Sequence, residues 1–90
     1  MNLAKVLAGH DKNHYYLILE ENEEDVLLVN GTTRPLAKPK KKNKKHIQII
    51  KRIPEYIIIS ETVSQSDAEI AEMLRQYQQY LAGTGQKTQN

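Results

Sequence analysis

Ala4-Lys5-Val6-Leu7-Ala8-Gly9-His10-Asp11-Lys12-Asn13-His14-Tyr15-Tyr16-Leu17-Ile18-Leu19 is the stretch that decides the fold class. Two short apolar-rich runs, Ala4 to Ala8 and Tyr15 to Leu19, flank six polar residues in which Gly9 and Asn13 both tolerate positive φ. Neither run is long enough for a helix with a buried stripe, and the polar segment has the composition of a turn. The pattern predicts strand, turn, strand.

Outward from this hairpin the same grammar repeats. The acidic patch Glu20 to Asp25 reads as the next turn and Val26 to Val29 as a third strand. Asn30-Gly31, a strong hairpin signal, leads into Thr32 to Leu36 as the expected fourth strand. Pro35 and Pro39 bracket the start of a lysine run over 37–45 that lacks apolar periodicity and is expected to be an exposed loop. His46 to Ile50 alternates again and supplies a fifth strand. Five short strands on a flat sheet bury too little, so residues 1–52 are expected to curl into a small, partly open SH3-like barrel. The fold class is mainly β, with a C-terminal amphipathic α-helix after the barrel.

Residues 53–65 connect the two. Within them 53–60 stays open between strand, on its three consecutive Ile, and short helix, on Pro54 followed by Glu55. Ser66-Asp67-Ala68-Glu69 is a capping box that starts a helix over 66–82, and Gly83 stands where a left-handed cap would end it. Ile70, Met73, Leu74, Tyr77, Tyr80 and Leu81 form one apolar stripe. That stripe is expected to dock on the barrel, because a lean core of this size needs cover. Residues 83–90 are expected to be a flexible tail.

The chain has 90 residues, so one domain at most. Leu, Ile and Val make up about a quarter of it, above the roughly 20% below which chains are disordered. With no Cys, disulfides, thiolate metal sites and thiol catalysis are excluded, and a cytoplasmic setting is expected. No apolar run approaches the roughly 18 to 20 residues of a membrane span. Net charge is only +2, but it is sorted: residues 1–25 sum to −4, residues 26–54 contain no acid and sum to +9, and residues 55–90 sum to −3. To a polyanion such a chain presents a dipole.

Arg34, Lys38, Lys40, Lys41, Lys42, Lys44 and Lys45, with His46, therefore form the candidate contact set. Each ammonium that neutralises a phosphate releases condensed counterions, and Arg34 and His46 add stacking or bidentate bonding. One of the adjacent Tyr15 and Tyr16 faces solvent, where a ring could stack on an unpaired base. His10 and His14 lie in a turn with no third ligand at hand, so no metal is expected, nor any cofactor. Asp67, Glu69 and Glu72 suit the first turns of a helix rather than acid–base chemistry, and no catalytic motif is present. The chain reads as a non-enzyme.

The blocks Val6 to Leu19, Val29-Asn30-Gly31, Lys38-Pro39-Lys40-Lys41-Lys42 and Lys44-Lys45-His46 together resemble the KOW domain. More narrowly, they are similar to small bacterial KOW-domain RNA-binding proteins related to large-subunit ribosomal proteins. The resemblance covers roughly residues 4–50, and Asp67-Ala68-Glu69-Ile70 resembles the C-terminal region of those proteins. One position departs: the family's glycine after the Asp-Lys pair is replaced by Asn13, the residue type that best tolerates the left-handed region after glycine. The resemblance implies an SH3-like barrel that binds structured, ribosomal RNA through the first turn, at Lys12, Asn13 and His14, and through the basic loop. It implies a ribosome- or translation-associated monomer with RNA and ribosomal proteins as partners. A rival expectation is a protein-interaction module that docks a ribosomal or transcription-machinery protein.

Overall fold

The computed structural model describes residues 2–57 and 66–89, with side chains as far as Gly83. Five antiparallel strands form one open sheet: β1 (Leu3–Val6), β2 (Tyr15–Glu21), β3 (Asp25–Val29), β4 (Lys40–Asn43) and β5 (Ile47–Ile50), in the order β4-β3-β2-β1-β5. A 3-10 turn, Lys44–His46, joins β4 to β5, and a single helix α1 (Asp67–Gln89) follows. The mainly β class and the C-terminal helix are as expected, and the order is compatible with an SH3-like barrel.

Register explains why the sheet has two cores. Leu3 stands opposite both Leu17 and Ile50, and Leu17 opposite Val29, so these four side chains make one transverse row on one face. Ile70, Met73, Leu74 and Tyr77 of α1 pack onto that row with Ile57, and all five are buried. Four of the six stripe residues thus dock on the barrel, each large side chain contributing roughly 1.5 to 3 kcal/mol, while Leu81 is half-buried at the edge of the contact and Tyr80 is exposed. The alternate residues Ala4, Val6, Tyr16, Val26, Leu28 and Ile47 are also buried, on the face around which the sheet curls.

Two strand assignments are corrected. Thr32 to Leu36 is not a strand; it is a loop that the Asn30 side chain organises by accepting hydrogen bonds from the Thr32 and Arg34 amides at 3.0 and 2.8 Å. The fourth strand lies instead in the lysine run, where Asp25 to Leu28 pair with Asn43 to Lys40. The run escapes an apolar-alternation test because β4 is an edge strand, and lysine is the residue type natural sheets use to protect an edge. Its alternation shows in burial: Lys40 and Lys42, opposite Leu28 and Val26, are half-buried, while Lys41 and Asn43 are exposed. Long aliphatic stems can cover an apolar face and keep their ammoniums in water.

The capping box forms as expected, with the Ser66 hydroxyl accepting from the Glu69 amide at 3.2 Å. The Leu36 amide donates to the Asp67 carboxylate at 2.8 Å and fastens the 30–36 loop to the start of α1. The helix does not end at Gly83. It continues to Gln89, and the positive-φ glycines are Gly9 and Gly31, so Gly83 makes no left-handed cap. Residues 83–89 are thus helical backbone rather than a tail. Of the open segment 53–60, residues 54–57 form a turn closed by the Ile57 amide on the Pro54 carbonyl at 3.0 Å. Residues 58–60 lie outside the described residues.

Candidate nucleic-acid interface

The first turn is built as its composition demands. Asn13 has φ 72° and Gly9 φ 89°, and the Asn13 amide donates back to the Val6 carbonyl at 2.7 Å while the Val6 amide donates to the His14 carbonyl at 3.0 Å. Asn13 is thus a non-glycine residue held in the left-handed region. Asn13→Gly is expected to melt at or slightly above the parent, whereas Asn13→Val is expected to lose about 1 to 2 kcal/mol in urea unfolding. Equal stability for the two variants would contradict the strain.

The lysine strand folds back against this turn. Lys40 pairs with Asp11, and the Lys42 ammonium is so placed that a Cβ on Gly9 would lie 3.8 Å from it. The Leu7 amide donates to the His46 carbonyl at 2.8 Å, so the 3-10 turn is anchored beside the beginning of the same loop. Asp11 is held below the usual aspartate range, first by the hydrogen bond from Lys40. Tyr16, beneath it, is pushed up to about 12, chiefly by burial and then by its hydrogen bond to Asp11, while the charge of Arg34 acts in the opposite direction. Lys40, Lys42 and the 3-10 turn are thereby brought against the first turn that carries Lys12 and Asn13, while Arg34 lies in the 30–36 loop at the Asn30 end of β3. His14 is at the margin, exposed and 3.9 Å from Asp11.

The segregation of charge along the chain does not survive folding intact. The β2–β3 hairpin returns its acids to the lysine edge: Lys41 lies 3.4 Å from Asp25 and Lys44 lies 3.0 Å from Glu21. Asp25 is held low first by the Asn22 amide and then by Lys41. With Lys40 on Asp11, three of the candidate lysines already face intramolecular acids. Among the described residues Lys12, Arg34, Lys38, Lys42 and Lys45 have no acidic partner, and all of them except the half-buried Lys42 are exposed. Spacing along the chain carries no sign of this division, because each pairing crosses a turn or a strand ladder.

Two further features complete the site. A groove of about 650 Å³ runs from Asn13 and His14 of the first turn to Arg75 and Gln78 of α1. The Arg75 guanidinium is engaged by Glu72, whose carboxylate it holds low, so Glu72 serves the helix surface. No group of three or more His, Cys, Asp or Glu that could hold a metal is found among the described residues. No described helix is long and apolar enough to cross a membrane. Comparison with protein-family models finds no match to this chain, and comparison with curated proteins finds none either.

Proposed function

We propose that this chain is a non-catalytic RNA-binding protein of KOW type, which contacts structured, ribosomal RNA through the first turn and the β4 edge and works in the cytoplasm in association with the ribosome. The observation that carries the reading is the junction of the left-handed Asn13 turn with Lys42 and the 3-10 turn, surrounded by cations that have no acidic partner among the described residues. A rigid turn flanked by ammoniums suits an array of phosphates, whose spacing is fixed by RNA shape rather than by base sequence. Edge-strand lysines hold their positions better than those of a mobile loop, which lowers the ordering entropy that binding costs.

Salt dependence tests the assignment and the division of labour among the lysines. Against a hairpin RNA, Lys38→Gln, Lys42→Gln and Lys45→Gln combined are expected to flatten the slope of log affinity against log salt by about 2 to 3 units, at about 0.7 to 0.9 for each phosphate no longer neutralised. Combined Lys40→Gln, Lys41→Gln and Lys44→Gln should flatten it less, because those ammoniums are already shared with acids. An affinity that barely changes between about 50 and 200 mM salt would favour docking to a protein partner instead.

A further inference from the structure

Register brings Gln48 of β5, Lys5 of β1 and Tyr15 of β2 directly opposite one another in one transverse row. This row lies beyond the helix-covered apolar row, toward the first-turn end of β1. Together with Lys51, Arg52 and Tyr77 it lines a groove of about 470 Å³, within the roughly 300 to 1,000 Å³ of ligand clefts. Tyr15 and Tyr77 form its aromatic part, edge to face with centroids 5.6 Å apart, and the Lys5 ammonium sits 6.0 Å from the Tyr15 centroid. Lys5, Lys51 and Arg52 have no acidic partner among the described residues. The groove borders β5, at the opposite end of the strand order from β4.

We infer that this groove is a second binding site, for a single-stranded nucleic-acid segment. Cations alone would suit any anion, but a cation beside an aromatic ring matches the alternation of phosphate and base along an unpaired strand. Lys5, Lys51 and Arg52 take the phosphates, a base packs against Tyr15, and the Gln48 amide offers both a donor and an acceptor to a base edge. An acidic peptide would use the cations and leave the rings and the amide idle. The inference relies on the proposed function only for RNA as the nucleic acid. Duplex held at the β4 edge and its unpaired continuation held here would together make the protein a reader of duplex–single-strand junctions.

The test uses the full chain and a labelled RNA hairpin, blunt or extended by a single-stranded oligouridine tail of about six nucleotides. The tail is expected to raise wild-type affinity about tenfold, in keeping with one stacked base. The triple variant K5Q/K51Q/R52Q should lose that advantage and keep its affinity for the blunt hairpin, while K5R/K51R should retain it. Free oligouridine should shift the NMR resonances of Tyr15 even in K38Q/K42Q/K45Q, so failure of the first site is distinguishable from failure of this one. The inference is overturned if the tail adds nothing to wild-type affinity or if the triple variant weakens both RNAs by the same factor. It is equally overturned if polyglutamate displaces the tail as well as oligouridine does.

Discussion

A chain terminated after Gln65 is expected to show no cooperative melting transition at any temperature where the full chain is folded. The cut removes Ile70, Met73, Leu74 and Tyr77, all buried against the sheet, and exposes Leu3, Leu17 and Val29 on the face they cover. At roughly 1.5 to 3 kcal/mol for each large side chain, the four contribute on the order of 6 to 12 kcal/mol, an upper bound because unfolded chains already bury some surface. That matches the whole stability of about 5 to 15 kcal/mol of a typical domain. A barrel of this size with no Cys to form a disulfide has little in reserve. Circular dichroism and one-dimensional NMR of the shortened chain would decide the matter, and a transition coinciding with that of the full protein would show that α1 contributes nothing to the fold. RNA binding should disappear together with folding, since the first turn and the β4 edge depend on the sheet beneath them.

The second large effect is expected at a single hydrogen atom. Gly31 has φ 78°, and a Cβ built there would lie 2.1 Å from the Asp67 carbonyl oxygen and 2.9 Å from the Ala71 amide nitrogen. These are backbone atoms in the first turn of α1, so no side chain can swing aside. Gly31→Ala must therefore displace the helix start, break the hydrogen bond of Asp67 with the Leu36 amide, or deform the 30–36 loop. Left-handed strain of about 1 to 2 kcal/mol adds to an overpacking cost of about 1 to 3 kcal/mol, giving on the order of 2 to 5 kcal/mol in urea unfolding. At Gly9, which also has positive φ, the nearest obstacle is the flexible Lys42 ammonium at 3.8 Å, so Gly9→Ala should suffer only the strain. Indistinguishable losses of stability at the two positions would show that α1 does not press on Gly31.

These two glycines look alike along the chain and differ only in what surrounds them. Asn30-Gly31 marks a turn from local composition, and a turn is present, stapled by the Asn30 side chain. That Gly31 is also the seat of a helix 36 residues further along the chain is not encoded in any local pattern, because close approach is a relation between distant segments. Lys40 to Asn43 illustrate a second limit. Lysine has weak strand propensity and no apolar alternation to display, yet pairing with Asp25 to Leu28 makes it an edge strand. Strand identity there is conferred by the neighbour.

For the candidate site the division runs along the same line. The turn at Gly9 to His14, the apolar rows of β1, β2, β3 and β5, the capping box of α1 and the concentration of positive charge over residues 26–54 are all written in the amino-acid order, because each follows from local conformation or from counting. Which cations face acids is settled by folding, for Lys40–Asp11, Lys41–Asp25 and Lys44–Glu21 each span 16 or more residues and exist through strand pairing and loop closure. Folding likewise puts Lys5, Gln48 and Tyr15 in one row, since β1 pairs with both β2 and β5 and register is set by side chains packing on the two faces. Local propensity acts over a few bonds, whereas the electrostatics of a surface depend on distances that the chain acquires only when it folds.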